Sequence, residues 1–374
     1  MLLRGFYTAT LIVLLVGCDG ESPQNPVFDL ESIPVLELRI EHDSYIEMLN
    51  SRWGKTDTPM ELWSDRKRYT GYVEPQGAGS RYAAQWSYEI GLDDGQEFHG
   101  LKHFNLSAQV QDPSKLRTLL GTQLFRRAGF IVTESFPVFL RVNGKDEGLY
   151  IAIERMDETY FPRHPEYTVH ELIKARFEAS YTFKSGALKL SKSFDQQIPD
   201  DGNLNHLAEM IRALDDTPAD EIMQDVGRYL SIRQYIRYHA LASIINHQDG
   251  FSNNHYLYRS TEDAPYEIIP WDFDKVFFSG KPVGYAGENA IYASLVRNDS
   301  LKSLYREELE YLLEEIVTEE YCSLVIQENV SHITDAHRLD PNLGGRGISL
   351  QNEAEKLMNL VRSQRQQFND YLTQ

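Results

Sequence analysis

The chain has 374 residues, of which 41% are hydrophobic, 25% charged and 11% aromatic. That is enough apolar material for a sizeable core, in one large two-lobed domain or two tightly joined ones, and it excludes an intrinsically disordered chain. A formal net charge of −19 without a basic stripe argues against nucleic acid and against an anionic membrane surface as partners.

The first residues differ from the rest. MLLRG carries one positive charge, FYTATLIVLLV is an apolar run, and the run ends in Leu15-Val16-Gly17-Cys18. It is shorter than the roughly twenty apolar residues that a permanent transmembrane helix needs, so residues 1–18 are read as a secretory signal. Its ending resembles a bacterial lipobox, which implies that Cys18 receives diacylglycerol and anchors an exported lipoprotein to a membrane of the cell envelope, at the periplasmic face or the cell surface. Asp19 resembles the inner-membrane retention signal of enteric bacteria. Residues 19–34, with Pro23, Pro26 and Pro34, read as a polar tether, and the folded domain is expected over 35–374. The second cysteine, Cys322, lies in the helical pattern EEIVTEEYCSLVIQE and is expected in the core, without a disulfide.

VLELRIEH alternates apolar and polar residues as a half-buried strand does. RKRYTGYVEPQGAGSRYAAQWSYEIGLDDGQEF predicts two strands around a Gly77-Ala78-Gly79-Ser80 turn, then a tight turn at Asp93-Asp94-Gly95, and KHFNLSAQV is strand-like. Asp112-Pro113 predicts a helix start, with KLRTLLGTQLFRRAG following at the 3.6 period until Gly129 stops it. SFPVFLRV and GLYIAIERM flank Asn143-Gly144, the pair that supplies the positive φ values of a type I′ hairpin turn. After LIKA and a polar middle section the chain turns helical: LNHLAEMIRAL, ADEIMQDVGRYL and SIRQYIRYHALASIIN. Three amphipathic segments follow from about residue 300. Strands early and helices late predict an α+β fold, with a β-rich lobe over about 35–175 and a mainly helical lobe over about 176–374.

The chemistry concentrates in His247-Gln248-Asp249-Gly250-Phe251-Ser252-Asn253-Asn254 and in Trp271-Asp272-Phe273-Asp274. Between them HYLYRS reads as a strand, TEDAP as a turn and YEIIP as the returning strand, so the hairpin brings Asp249, Asn254, Asp272 and Asp274 to one end. Carboxylates gathered in that number repel one another unless a hard divalent cation neutralises them, and Mg²⁺ or Mn²⁺ suits oxygen ligands. The spacing of Asp249 to Asn254 matches the catalytic loop of protein kinases, H-R-D-x-x-x-x-N, and Asp272 falls where D-F-G supplies a metal ligand one hairpin later. Asp-Gly and Asn-Asn are also ordinary turn formers. His247 is read as a packed loop anchor, and Gln248 stands where many kinases have the arginine that receives an activation-loop phosphate.

With these motifs the chain resembles the CotH family of kinases, named for a spore coat protein, from about residue 35 to 300. The resemblance rests on HFNLSAQVQDPSKLR, VFLRVNGKDEGLYIAIERMD, HQDGFSNNHYLY and IIPWDFDKVFF. It implies an atypical, minimised protein-kinase fold that transfers the γ-phosphoryl group of ATP to a Ser or Thr of a protein substrate. Asp249 would be the catalytic acidic residue, Asp272 the metal ligand, Asn254 a second ligand or phosphate neighbour, and Asp274 a further carboxylate at the metal. Ser80 and Arg81 occupy the place of the family's R-x-R-G-x-S-S turn, whose amides cradle phosphates. Where the family has a lysine pair, this chain has Gln85-Trp86, so Arg81 or Lys174 is expected to supply the cation, with Glu154 pairing to it or meeting the adenine. Two other classes stay open: a noncatalytic surface-binding protein on the same scaffold, as in adhesin-like fungal relatives, and a metal-dependent phosphohydrolase or nucleotidyl transferase.

Overall fold

The structure is a computed structural model, which describes residues 33–51, 57–77, 85–176, 179–184, 190–278 and 289–374. The expected signal, Cys18 and most of the tether lie outside the described residues.

Strand β1 (Val35–Ile40) buries Leu36, Leu38 and Ile40, the alternation that the sequence predicts. Helix α1 (His42–Asn50) follows at once, unforeseen because Glu41, an unusual N-cap, accepts Ser44 N–H through its side chain at 3.0 Å. Strands β2 (Thr58–Ser64), β3 (Lys67–Gln76), β4 (Ser87–Leu92) and β5 (His103–Ser107) continue in antiparallel register, with Gln76 opposite Ser87 as the expected hairpin requires.

Helix α2 runs over Arg117–Arg127 and starts four residues later than the Asp112-Pro113 signal predicts. Asp112 spends its carboxylate on a turn instead: Oδ1 accepts from the Ser114 hydroxyl at 2.5 Å and Oδ2 from Arg117 N–H at 2.9 Å. Gly129, at φ +87°, ends the helix as expected. Strands β6 (Ser135–Val142) and β7 (Lys145–Glu154) form the predicted hairpin, with Asn143 and Gly144 at φ +49° and +81°. These seven strands close into a barrel in the order β1-β2-β3-β4-β5-β7-β6, sealed by the parallel pair β1–β6 with Val35 opposite Phe139.

A short helix, α3 (Tyr160–Arg163), leads to strand β8 (Glu171–Ala175). LIKA therefore leaves the barrel and joins a second sheet of order β11-β10-β8-β9. After the one-turn helix α4 (Leu190–Ser193) comes β9 (Phe194–Ile198), too short and polar to stand out in the sequence. Helix α5 spans Asn205–Asp216; ADEIMQDVGRYL, expected as one helix, breaks into the single turn α6 (Ile222–Asp225) and a 3₁₀ turn. Helix α7 (Ile232–Ile244) leads through a 3₁₀ turn at Gln248–Phe251 into β10 (His255–Arg259) and β11 (Glu267–Pro270), the predicted hairpin.

Helices α8 (Ala290–Leu295), α9 (Asp299–Tyr311), α10 (Glu319–Leu339) and α11 (Leu350–Leu372) complete the α+β fold. Cys322 is buried among them, as expected. Leu120, Leu124 and Phe125 of α2 share a core with Tyr238 and Leu241 of α7 and Ile333 of α10. The end of α10 also grips the barrel, because Asp340 accepts Leu149 N–H of β7 at 2.7 Å. No described helix is long and apolar enough to cross a membrane.

Candidate active site

A cavity of about 550 Å³ lies where α2, β8, the 3₁₀ turn and the loop after β11 meet. Asp249, Asn254, Asp272, Asp274 and Lys174 all line it, so the hairpin gathers the motif residues as its length implies. Trp271 N–H donates to Asn254 carbonyl at 2.9 Å and closes the hairpin base. On either side of that bond, Asn254 and Asp272 sit at φ +55° and +57°. Two non-glycine residues in the left-handed region at one hairpin base are backbone strain of a kind that collects at functional sites.

The Asp272 loop is held from behind. Phe273 stacks on Phe125 of α2 with ring centroids 5.2 Å apart, and its β-carbon lies against Gly121, where a side chain would collide with it. Phe273 and the buried His247 are 5.6 Å apart between centroids. Burial lowers the His247 pKa to about 4, so at neutral pH the ring is an uncharged anchor for the loop, as its place in the motif suggests.

Charge inside the cavity is unevenly matched. Burial raises the Asp272 and Asp274 carboxyls above the usual range, and for Asp274 the neighbouring Asp272 raises it further. Lys174 and Lys275 oppose this at Asp272. The Lys174 ammonium stands 5.6 Å from the Tyr256 ring centre and 5.7 Å from that of Trp271. Lys275 Nζ donates to Asp249 Oδ2 at 2.8 Å. Lys275 is a site residue that the motif reading passed over; its signal was its place directly after WDFD. The opposite wall comes from the segment after β5, where Gln109 holds φ +48° and its Oε1 accepts from the Thr118 hydroxyl at 2.8 Å. The buried Lys115 reaches back to the carbonyls of Ala108 and Gln109 at 2.5 and 3.2 Å and fixes that segment.

Other expected residues are elsewhere. Glu154 is buried with no part in the cavity lining: it accepts from Arg163 at 2.6 Å, lies 3.2 Å from His164 Nε2, and takes Glu134 N–H at 3.1 Å. It pairs with a cation, but with one on α3 rather than Lys174. Ser80 and Arg81 lie outside the described residues, although Gln76 and Gly77, just before them, line the cavity. Gln85 and Trp86 are 4% and 8% exposed, and Gln85 Nε2 donates to Glu147 carbonyl at 2.6 Å. That pair braces the barrel and does not line the cavity.

The donor set suits a hard divalent cation: carboxylates of Asp272 and Asp274, the Asn254 amide, and a charge imbalance that a cation relieves. It is not a closed protein cage. Among the described residues, the trio of acidic or histidine ligand atoms lying within 4.8 Å of one another is His103, Asp157 and Glu158, away from the cavity, where Asp157 already bonds Arg155 and Thr159. A cation held by one or two carboxylates with room for further oxygen ligands is the arrangement that Mg²⁺ shares with phosphates.

Comparison with known proteins gives the same residues a family. The chain is 22% identical over 355 residues to the inner spore coat protein H of Bacillus subtilis (strain 168), covering 91% of this chain and 98% of that one. Among solved structures it is similar to HipA of Shewanella oneidensis MR-1, from a toxin–antitoxin complex with HipB and operator DNA (13% identity, 88% of this chain, 74% of that one, TM-score 0.37). It is also similar to the proinflammatory kinase CtkA of Helicobacter pylori (9% identity, 83% of this chain, 93% of that one, TM-score 0.31). The model of the CotH kinase protein family matches residues 73–368, and the chain belongs to that family.

Proposed function

We propose that the protein is a metal-dependent kinase-like phosphotransferase that moves the γ-phosphoryl group of ATP to a Ser or Thr hydroxyl of a protein, and that it works as an exported lipoprotein anchored through Cys18. The observation that carries the catalytic part is the meeting of Asp249, Asn254, Asp272 and Lys174 on one cavity, in a chain of the CotH kinase family.

Asp272 and Asn254, with Asp274 beside them, would hold Mg²⁺ or Mn²⁺. A cation held there would supply positive charge against the negative charge of the phosphates. Lys174 supplies an ammonium for the phosphates, set against the paired rings of Tyr256 and Trp271. Asp249 orients the acceptor hydroxyl and takes its proton as the new O–P bond forms and the bond to the leaving ADP oxygen breaks. Lys275 occupies Asp249 Oδ2, so Oδ1 is the oxygen left for the hydroxyl. Gln109 and the threonines Thr118, Thr122 and Thr133 give the opposite wall neutral hydrogen-bonding groups.

The test is transfer of labelled phosphate from ATP, with Mg²⁺ or Mn²⁺, to the protein itself and to a mixed protein acceptor. Wild type is expected to label the acceptor, and Asp272→Ala and Asp249→Asn to lose at least about a hundredfold in rate. Equal labelling by wild type and Asp272→Ala sinks the proposal. Release of free phosphate or AMP without phosphoprotein indicates a hydrolase or nucleotidyl transferase. The surface-binding alternative draws on the buried Gln85-Trp86 pair; it predicts no shift in melting temperature with millimolar MgATP, where a nucleotide binder gains about 2–4 kcal/mol near saturation.

A further inference from the structure

A second cavity, of about 690 Å³, opens at the other end of β8 and β10, and no residue lines both cavities. Strand β8 meets the active cavity with Lys174 and Ala175 and this one with Glu171; β10 starts beside Asn254 and reaches this one with Arg259. At about 3.3 Å per residue the two lie about 15 Å apart along the strands.

The floor is a buried polar network. Arg259 Nη1 donates to Glu171 Oε2 at 3.0 Å, the Tyr266 hydroxyl donates to the same oxygen at 2.7 Å, and Gln196 Nε2 donates to Glu171 Oε1 at 3.3 Å. These bonds close the floor's own charge. What they leave open is an acceptor. Gln196 lines the cavity while only 7% exposed, and its Oε1 has no partner among the described residues. His206 Nε2, also on the lining, is buried without a partner among the described residues. Burial, and then the positive charge of Arg259, lower the His206 pKa, so at neutral pH the ring is uncharged, with a proton on one nitrogen and a lone pair on the other.

The rim is mainly acidic. Asp201, Glu209, Glu262 and Asp263 are exposed on it, and none has a basic partner among the described residues. Its arginine, Arg228, is paired with Asp225 at 3.0 Å. Unpaired carboxylates above and the open Gln196 acceptor below exclude an anion, and the polar lining excludes an apolar ligand. Positive charge and several N–H donors meet both demands, and a guanidinium carries five donors in one plane. The cavity is larger than one such group, which leaves room for the residues flanking it.

We propose that this cavity docks an arginine-bearing segment of a polypeptide, the guanidinium entering between Glu209 and Asp201 toward Gln196 and His206. Joined to the kinase reading of the first cavity, on which this clause alone rests, the segment belongs to the phosphoacceptor protein, with its arginine no fewer than about five residues from the accepting hydroxyl.

The experiment is fluorescence anisotropy on the full chain, without nucleotide, using a short labelled peptide with one central arginine and a citrulline twin of the same shape without the charge. The arginine peptide is expected to bind at least about tenfold more tightly than the twin, and Asp201→Asn combined with Glu209→Gln to remove at least about tenfold of its affinity. Asp272→Ala is expected to bind as wild type does. Both rim side chains are exposed, so the double variant should fold, and circular dichroism verifies it. Equal binding of the two peptides, indifference to the rim substitutions, or loss of binding in Asp272→Ala overturns the proposal. So does competition by free arginine or spermidine as effective as by unlabelled peptide, which marks a small-cation site. Because no phosphoryl transfer is read, failure of the kinase assay leaves these outcomes unchanged, and the reverse holds too.

Discussion

At the scale of single residues, the two lysines of the active cavity have separable duties. Lys174 acts on Asp272 from beside the Tyr256–Trp271 ring pair, whereas Lys275 sits on Asp249. Lys174→Met should therefore raise the KM for ATP and abolish the MgATP-induced melting shift, while Lys275→Met should lower kcat with a smaller change in KM, as steady-state kinetics will show. A third lysine governs stability. Burial holds Lys115 down at about 8, against an ordinary value near 10.5 in the unfolded chain. The unfolded state binds the extra proton between those values, so the cost of burying the charge is full below pH 8 and is gone above about 10.5. In urea unfolding, the stability of wild type relative to Lys115→Met should rise by about 3 kcal/mol from pH 8 to 10.5; a flat difference would show that Lys115 is not buried as a charge. Asp249, Asn254 and Asp272 were legible in the sequence because one hairpin of fixed length joins them. Lys115 and Gln109 were not, since their partners lie on a wall whose distance from the hairpin no local spacing encodes. Glu154 misled for a related reason: a carboxylate at a strand end names no partner, and here Arg163 from the following turn claims it.

At the scale of elements, α2 is the part that sets the site. Its Leu120, Leu124 and Phe125 belong to the helical core, Thr118 and Thr122 line the cavity, and Gly121 receives Phe273. Alanine normally stabilises a helix interior by up to about 1 kcal/mol relative to glycine. At Gly121 the sign should reverse, because the new methyl group meets the β-carbon of Phe273, which cannot move without shifting Asp272 and Asp274. Gly121→Ala is expected to destabilise the chain by about 1–3 kcal/mol in urea titrations and to reduce phosphoryl transfer; a gain in stability would mean that the Asp272 loop is not seated on the helix. The same helix shows where sequence signals stop short. Asp112-Pro113 is a strong start signal by residue type, yet Asp112 Oδ1 and Oδ2 bind Ser114 and Arg117 and hold a turn open before the helix begins. Strand β9 has no apolar alternation to announce it, because its two buried positions are Phe194 and the polar Gln196.

At the scale of the whole molecule, strands early and helices late are correct for the barrel and the last three long helices, but the second sheet crosses that division. β8 precedes it and β9, β10 and β11 fall among helices, and the pairing of Lys174 on β8 with Tyr256 on β10 joins residues too far apart in sequence for a local pattern to announce. Attachment to a membrane is the other whole-molecule property at issue. If Cys18 carries the lipid, the exported protein should partition into detergent on phase separation and Cys18→Ser into water; equal partitioning of both would rule out the anchor. The parallel pair β1–β6 has a consequence for how the chain folds. Val35 meets Phe139 only after about a hundred residues have been laid down, and closing a loop of that length costs about 4 kcal/mol in chain entropy. The local pairs β1–β2, β2–β3, β3–β4 and β6–β7 should therefore form first and leave β1 and β6 as unsatisfied edges until those two meet. The β1–β6 pair acts as a late seal: a chain that lacks β1 would present β2 and β6 to any other strand nearby, and self-association through those edges is the failure that the closed barrel prevents.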